Sequence, residues 1–342
     1  MWHQKEISAV AMIARAVRTI AASALACAGI LATPATQAEQ FLLPTNGDTM
    51  IGHVTTTVAH HEDTLLDIGR AYGVGYEEIM VANPGVDPWL PGDGTEILIP
   101  SRFILPDAPR EGIVVNLPEH RLYYFPPARA GEPRTVRTYP ISTARMDWKT
   151  PLGITRIVTK EHMPNWYPPE SVRLEHEQRG DPLPKVVPPG PDNPLGEHKM
   201  RLAIPGGAYL IHGTNRPAGV GMQVTHGCIR MYPEDVAELF ALVAINTKVN
   251  LIDQTTKVGW SRGTLYVERH GPLDGATDPV HADPAEMTRL IEAATSGNRA
   301  AVEIDWNGAQ QAFAQATGVP VALSVPVRQA AAARDVPATA AR

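Results

Sequence analysis

The chain has 342 residues, and its 30 basic and 36 acidic side chains give a formal net charge of −6. A domain commonly takes about 100–200 residues, so this length allows two or three domains. Apolar residues make up 44% and charged residues 19% of the chain, which excludes an acidic disordered protein and a multi-span membrane protein. The acidic balance argues against nucleic acid as a partner, because phosphate binding needs a basic face. The 32 prolines favour turns and extended segments over a helical bundle.

The N-terminal segment has the pattern of a secretory signal peptide. Arg15 and Arg18 precede an apolar run over 20–31, and small residues follow as far as Ala38. This order is typical of signal peptides, and the run is shorter than the roughly 20 residues of a membrane span. We therefore predict a signal peptide over 1–38 and export of the mature chain. An uncleaved inner-membrane anchor is the alternative.

Export makes the two cysteines informative, because cysteines outside the cytoplasm normally form disulfides. Cys27 lies inside the predicted signal peptide, so the mature chain carries Cys228 alone. A single cysteine is either an inert buried residue or a reactive thiol. The residues around Cys228 favour the reactive thiol.

Residues 53–100 predict a small module of strand, helix, helix and strand. Asp63 is the expected N-cap of the first helix, and a second helix is expected over 76–82. Flanking strands are expected over 54–58 and 96–99. Together with Asp63-Thr64-Leu65, Ile68, Asn83-Pro84 and Ile97-Leu98-Ile99-Pro100, this order resembles the LysM module, a carbohydrate-binding domain of cell-wall proteins. The resemblance implies glycan binding, and a purely structural appendage is the alternative.

Residues 111–253 predict a mainly β domain with one amphipathic helix that begins at Pro233, whose fixed φ suits a first helical position. Strands are expected over 113–115, 122–125, 136–141, 154–158, 208–213, 228–231 and 249–252. Residues 164–194 contain nine prolines, so we expect a loop without regular structure, in which Trp166 and Tyr167 favour a lid over a substrate. A small C-terminal α/β extension is expected over 255–325, followed by a disordered tail over 328–342.

Two histidines and one cysteine lie in the segment 210–231, LIHGTNRPAGVGMQVTHGCIRM. A thiol becomes a useful nucleophile when a neighbouring imidazole takes its proton or stabilises its thiolate. His226 and Cys228 are two residues apart on an extended segment, about 7 Å, which is loose for direct proton transfer. His212 lies on a preceding strand and can meet Cys228 side by side. We therefore expect His212 to be the base and His226 to shape the loop.

The neighbours of the cysteine suggest further roles. The absence of a side chain at Gly227 lets the backbone N–H groups of Gly227 and Cys228 approach an acyl oxygen and form an oxyanion hole. Arg230 has two open roles, binding a substrate carboxylate or fixing the turn through carbonyl groups. Zinc also accepts histidine and cysteine ligands, but neither a fourth ligand nor a CxxC-like spacing is evident.

The string over 212–231 resembles the signature of L,D-transpeptidases with a YkuD-type catalytic domain. In that signature, histidine-glycine-threonine is followed after a gap by Ser/Thr-His-Gly-Cys, an apolar residue and Arg or Asn. VVPPGPDNPLG resembles the periplasmic ErfK/YbiS/YcfS-like subgroup, which also carries a LysM-like module. The resemblance implies a β-sandwich catalytic domain, with Cys228 as nucleophile and His212 as proton donor and acceptor. It also implies that Thr225 makes the hydrogen bond of the commoner serine.

The resemblance further implies acyl transfer on peptidoglycan in the periplasm. Cys228 would attack the third-residue carbonyl of a tetrapeptide stem and release D-alanine. It would then pass the acyl group to an amine of a second stem or to the lysine of an outer-membrane lipoprotein. Carbapenem-type compounds are the expected inhibitors, and neither a metal nor an organic cofactor is needed, because the thioester conserves the energy of the cleaved bond. A cysteine amidase or carboxypeptidase, and a non-catalytic wall-binding module, stay open as alternatives.

Overall fold

The computed structural model describes residues 39–145, 150–206, 209–273, 284–296 and 302–326. The predicted signal peptide over 1–38 and the predicted tail over 328–342 lie outside these residues. Among the described helices, none is both long enough and apolar enough to cross a membrane.

The secondary structure is mainly β, as the sequence predicts. The first part of the chain forms β1 (Gln40–Leu42), β2 (Met50–Gly52), β3 (Thr55–Val58), α1 (Leu65–Ala71), α2 (Tyr76–Ala82), β4 (Glu96–Ile99) and β5 (Arg102–Ile104). The middle part forms β6 (Gly112–Asn116), β7 (Arg121–Phe125), β8 (Thr135–Ala144), β9 (Gly153–His162), α3 (Glu170–Gln178), β10 (His198–Leu202), β11 (Leu210–His212), β12 (Gln223–Thr225), β13 (Ile229–Met231), α4 (Pro233–Leu242) and β14 (Lys248–Ile252). The last part forms β15 (Thr256–Ser261), β16 (Thr264–Arg269), α5 (Pro284–Thr295), β17 (Val302–Ile304), α6 (Trp306–Gln315), β18 (Val321–Ala322) and β19 (Ser324–Pro326).

Eight strands of the middle part form one closed sheet. Their order is β8-β13-β11-β10-β9-β14-β6-β7, and β7 pairs in turn with β8, which closes the ring. β1 and β12 attach to β8 as additional strands. Apolar side chains from these strands pack into one core with Val236 and Leu239 of α4. This closed sheet is the mainly β catalytic fold that the sequence predicts, and α4 begins at Pro233 as expected.

The module over 53–100 has the predicted order of strand, helix, helix and strand, with β3 and β4 paired antiparallel. Its first helix, however, is capped by Thr64 rather than by Asp63. The Thr64 hydroxyl accepts the Asp67 N–H at 3.1 Å, and the Asp67 carboxylate accepts the Thr64 N–H at 3.4 Å. This reciprocal capping box satisfies two backbone groups at once. The Asp63 carboxylate instead accepts the N–H of His60, so the expected cap is wrong by one residue.

A buried ion pair joins this module to the closed sheet. Arg121, at the start of β7, donates from Nε and Nη2 to the two carboxylate oxygens of Glu78 at 2.8 and 2.7 Å. The Arg121 side chain is 1% exposed and the Glu78 side chain 10%. A second pair joins Arg70 of α1 to Glu234 of α4 at 2.7 Å. The module is therefore fixed to both the sheet and its helix by charged contacts.

Backbone contacts tie the same module to the loop that precedes β12. The N–H groups of Tyr76 and Glu77 donate to the carbonyl groups of Val220 and Gly221 at 3.0 and 3.3 Å. The approach requires glycine, because a Cβ at Gly221 would lie 2.2 Å from the Tyr76 nitrogen. Its φ of +92° is also a conformation that favours glycine.

Residues 164–194 contain the helix α3, which corrects the expected loop without regular structure. Pro168 and Pro169 stand directly before α3, Pro182 follows it, and the helix itself contains no proline. Proline breaks a helix only in its interior, so the segment between these prolines remains able to form one. Trp166 forms an isolated antiparallel bridge with Val187.

The C-terminal part forms a separate core on the sheet β15-β16-β18. Side chains of Trp260, Leu265, Ile291 and Phe313 pack together there, so α5 and α6 cover this sheet. This arrangement is the small α/β extension that the sequence predicts.

Removing one charge of the buried Arg121–Glu78 pair should destabilise the fold strongly. Glu78→Gln leaves the Arg121 guanidinium buried without its counter-charge, so we expect the free energy of unfolding to fall by about 3–5 kcal/mol. Urea-induced unfolding measures this change. The matched control is Glu132→Gln, which breaks the Arg129–Glu132 pair, whose side chains are 79% and 61% exposed. The control should change stability by less than about 1 kcal/mol, and equal effects of both substitutions would contradict the account.

Candidate active site

A cleft of about 770 Å³ lies on one face of the closed sheet. Trp166 and Tyr167, from the proline-rich segment, line it. Five of the six residues that the sequence singles out also line it, namely His212, Thr225, His226, Cys228 and Arg230. The sixth, Gly227, lies in the same loop between His226 and Cys228. The structure thus brings the predicted constellation together in one cleft.

The parallel pairing of β11 with β13 positions the histidine and the cysteine. Ile211 pairs with Ile229, and both side chains are buried in the core. Because side chains alternate along a strand, His212 and Cys228 point to the opposite face, which is the cleft. Arg230 is the register partner of His212. Cys228 lies two residues before Arg230 on the same face, beside Leu210. The expected side-by-side pairing of His212 and Cys228 is therefore a diagonal one.

His212 is a buried, neutral imidazole. Its Nδ1 lies 2.6 Å from the carbonyl oxygen of Gly213. A carbonyl only accepts hydrogen bonds, so Nδ1 carries the proton and Nε2 keeps its lone pair. Burial lowers the pKa of His212 to about 3, and the positive charge of Arg230 acts in the same direction. At neutral pH the ring is therefore neutral with its lone pair on Nε2, and the same burial makes it a weaker base than a free imidazole.

The thiol of Cys228 is protonated at neutral pH. Burial raises the pKa of Cys228 to about 11, although a backbone hydrogen bond with Leu210 and the charge of Arg230 act against this rise. The resting site therefore holds a neutral thiol and a neutral imidazole. Of the two ways in which an imidazole activates a thiol, these shifts favour proton transfer during attack over a thiolate formed beforehand.

Two threonine hydroxyls fix the loop that carries the cysteine. Thr225 Oγ1 donates to the carbonyl oxygen of Cys228 at 2.6 Å, and Thr150 Oγ1 donates to that of Gly227 at 3.1 Å. Gly227 has a φ of +97°, a conformation that glycine adopts without the strain of a side chain. The orientation of the peptide groups around Cys228 is therefore set by side-chain hydrogen bonds.

His226 lies in a charged contact that sequence reasoning missed. Its Nε2 is 2.9 Å from Arg145 Nη2 and 3.2 Å from Glu175 Oε2, and these two partners are 2.8 Å apart. The hydrogen bond from Arg145, followed by that of His226, lowers the pKa of Glu175 to about 2. Glu175 belongs to α3, so this contact holds the proline-rich segment against the loop that carries Cys228. The proline-free window over 170–181 was the signal that could have revealed this helix.

Arg230 is half-buried in the wall of the cleft. Its Nε is buried and has no hydrogen-bond partner among the described residues. Burial lowers the pKa of Arg230, and the neighbouring charge of Arg216 acts in the same direction. Arg230 therefore keeps one buried donor that the described protein groups leave unsatisfied.

A second cluster of polar side chains has the composition of a metal site but lies outside the cleft. Ligand atoms of Glu119, Glu268 and His270 lie within 4.8 Å of one another. However, the Lys257 ammonium contacts the carboxylates of Glu119 and Glu268 at 2.7 and 2.6 Å. Because Lys257 already supplies a positive charge between these carboxylates, the cluster is an internal ion-pair network that joins the extension to the sheet.

The chain is similar to known L,D-transpeptidases. The YkuD family model, described as the L,D-transpeptidase catalytic domain, matches residues 110–251. The chain is 39% identical over 300 residues to the probable L,D-transpeptidase YcfS of Escherichia coli K12, which covers 86% of this chain and 91% of that protein. It is 36% identical to the probable L,D-transpeptidase ErfK/SrfK of the same organism, over 88% of this chain and 96% of that protein.

Among solved structures, the catalytic domain of an E. faecium L,D-transpeptidase is 20% identical to this chain. It covers 43% of this chain and all of that chain, with a TM-score of 0.31.

Loss of the Thr225 hydroxyl should lower the rate at which Cys228 is acylated. Thr225→Val leaves the part-buried Cys228 carbonyl without its donor, a loss of about 1–3 kcal/mol of stabilisation, and it releases the loop that carries Cys228. We expect Thr225→Val to slow acylation of Cys228 about tenfold or more, as measured by intact mass against time. Thr225→Ser keeps the hydroxyl and should stay close to the parent chain. Equal rates for the two variants would show that this hydrogen bond has no such role.

The raised pKa of Cys228 predicts an unusual alkylation profile. In a Cys27→Ser chain, the rate of reaction with iodoacetamide should rise about tenfold per pH unit from pH 7 to 10, because the thiolate fraction increases up to the folded-state pKa of about 11. In denaturant, the rate for the same chain should have its midpoint near pH 8.5, the ordinary pKa of a thiol, and should level off about one pH unit above it. A plateau below pH 8 in the folded chain would indicate a thiolate–imidazolium pair instead.

Proposed function

Because the chain belongs to the L,D-transpeptidase family with a YkuD-type catalytic domain, we propose that Cys228 transfers an acyl group from a peptidoglycan stem peptide to an amine. One observation carries the proposal. A half-buried thiol and a neutral imidazole with an unprotonated Nε2 lie on one face of the sheet at the β11–β13 pair, inside a cleft large enough for a peptide.

The first half of the reaction forms a thioester. As the Cys228 sulfur attacks the carbonyl carbon of the third stem residue, its proton passes to His212 Nε2. The C–N bond to the terminal D-alanine then breaks, and the protonated His212 gives its proton to the departing amine. His212 is neutral again when the thioester is complete.

The second half reverses these roles. The acceptor amine attacks the thioester carbonyl and gives its proton to His212, and the C–S bond breaks. His212 returns the proton to the Cys228 sulfur, so the site regains its neutral resting state. The neutral resting state of both residues suits this cycle, because neither has to carry a charge between turnovers.

The negative charge that develops on the acyl oxygen needs donors. We assign this role to the backbone N–H groups of Gly227 and Cys228, in the loop that Thr225 and Thr150 hold. A single donor of this kind is commonly worth about 2.7–4 kcal/mol of transition-state stabilisation. His226 supports the loop through Arg145 and Glu175, and Arg230 faces a carboxylate of the substrate.

Membership in this family supports our proposal for the substrate and the location. The third stem residue is meso-diaminopimelate in this proposal, and the acceptor is a second stem or the lysine of an outer-membrane lipoprotein. The mature chain acts in the periplasm after loss of residues 1–38, and carbapenem-type compounds acylate Cys228. The module over 53–100 binds glycan, and the 59% exposed Trp89 and 45% exposed Tyr72 on its surface are suited to stack on sugar rings.

Intact mass spectrometry tests the nucleophile. The parent chain should gain the mass of a carbapenem, or of the tripeptidyl group of a tetrapeptide stem, and Cys228→Ala should gain neither. His212→Gln should slow the stem reaction by roughly 10²–10⁴-fold, the usual contribution of a general acid–base group. Cys27→Ser is the control and should react like the parent. A parent chain that forms no adduct would be a wall-binding module without catalysis.

Product analysis separates transfer from hydrolysis. Incubation with donor and acceptor stems should yield crosslinked stems, or stems linked to a lysine-terminated peptide, in amounts that exceed the free tripeptide. Free tripeptide as the main product would instead identify a cysteine amidase or carboxypeptidase, since the same pair of residues can activate water.

A further inference from the structure

Two basic side chains of β10, Lys199 and Arg201, lie in the same cleft as the proposed catalytic residues. We propose that they form a subsite for a free carboxylate of the donor peptide, so that the enzyme prefers an acidic stem to an amidated one. The inference rests on the proposed function, because it names a chemical property of the substrate of that cleft.

Strand register places both side chains next to the proposed catalytic residues. β10 pairs antiparallel with β11, so that Lys199 stands opposite His212 and Arg201 stands opposite Leu210. Met200 of the same strand is fully buried in the core. Because side chains alternate, Lys199 and Arg201 lie on the other face, which is the floor of the cleft.

The spacing fits a peptide that runs across the strands. Neighbouring strands lie about 4.8 Å apart, so the backbone of Lys199 is one strand spacing from that of His212. Arg201 stands opposite Leu210, and Leu210 adjoins Cys228, which directly precedes β13, so Arg201 lies about 10 Å from the cysteine backbone. An extended chain covers this distance in about three residues, and a long side chain on a nearer residue also spans it. A carboxylate close to the scissile carbonyl can therefore reach the pair.

The charges of the cleft favour an anion on this side. Lys199, Arg201 and Arg230 are positive, and Glu161 is the one carboxylate among the described residues that line the cleft. Glu161 pairs with Lys199 at 2.8 Å. For Arg201, no carboxylate of the described residues lies within ion-pair distance. Arg201 is exposed to the cleft, and its guanidinium has the planar geometry that binds a carboxylate through two parallel hydrogen bonds.

Lys199 and Arg201 have different parts in this subsite. Lys199 is 18% exposed and is held by Glu161, so it supplies a fixed charge beside His212. Arg201 has donors that no carboxylate of the described residues uses, so it makes the direct contact with the carboxylate of the donor peptide. We therefore expect the preference for an acidic donor to depend more on Arg201 than on Lys199.

The test compares two synthetic tetrapeptide stems that differ in one group. In one stem the carboxylates away from the cleaved bond are free, and in the other they are carboxamides. Acylation of Cys228 is followed by intact mass over time, and the ratio of kcat/KM for the acidic and amidated stems is measured. The parent chain should prefer the acidic stem by about tenfold, a usual size for a charge-assisted hydrogen bond in a partly exposed site. Arg201→Gln should bring the ratio close to 1, and Lys199→Gln should lower it by a smaller factor.

Two controls separate a contact with substrate from a structural effect. Arg129→Gln removes a 79% exposed arginine outside the cleft and should leave the parent ratio unchanged. Raising the salt concentration from about 0.05 to 0.5 M should reduce the parent ratio but not that of Arg201→Gln, because salt screens an exposed charge pair.

The outcomes keep the two proposals apart. If Cys228 is acylated but the ratio is the same in the parent and in Arg201→Gln, the subsite is wrong and the transpeptidase function stands. If Arg201→Gln slows both stems equally, the residue has a structural role and the subsite is also wrong. If neither stem acylates Cys228 in the parent, the proposed function fails and the subsite fails with it.

Discussion

The short parallel pairing of β11 with β13 is the constraint on which the candidate site depends. The side chains of Ile211 and Ile229 pack in the core. Because side chains alternate along each strand, those of His212, Cys228 and Arg230 lie on the opposite face, in the cleft. A register shift of one residue in either strand would exchange its two faces. The polar side chains of the site would then lie in the core, and an isoleucine would be exposed. The same apolar contacts that stabilise the sheet therefore also select the register of the site.

Burial then sets the charges of that site. It lowers the pKa of His212 to about 3 and raises the pKa of Cys228 to about 11, so both are neutral when the site is at rest. Contacts on two sides hold the segment that precedes Cys228. On one side Glu175 of α3 contacts His226. On the other side, the module over 53–100 makes backbone hydrogen bonds with the loop before β12, one of them to the carbonyl group of Gly221. A module that binds glycan in our proposal is thus also part of the scaffold of the cleft.

Sequence reasoning succeeded where the signal is local. α2, β4 and the start of α4 at Pro233 follow from capping, proline and periodic patterns within a few residues. The gathering of His212 and Cys228 in one cleft follows from their shared motif. The diagonal relation between these two residues could not be predicted, because register depends on which strands pair across the sheet. Arg201 and Glu175 were missed for the same reason, since only the fold brings β10 and α3 to the cysteine.

The protonation state of His212 tests the central claim most directly. In a chain with ¹⁵N-labelled histidine, the ring nitrogens of His212 can be assigned by comparison with His212→Gln and followed by NMR from pH 5 to 8. The account predicts a neutral ring with the proton on Nδ1 and an unprotonated Nε2 across this range, because burial holds the pKa of His212 near 3. A doubly protonated ring at pH 7, or a neutral ring with the proton on Nε2, would contradict it.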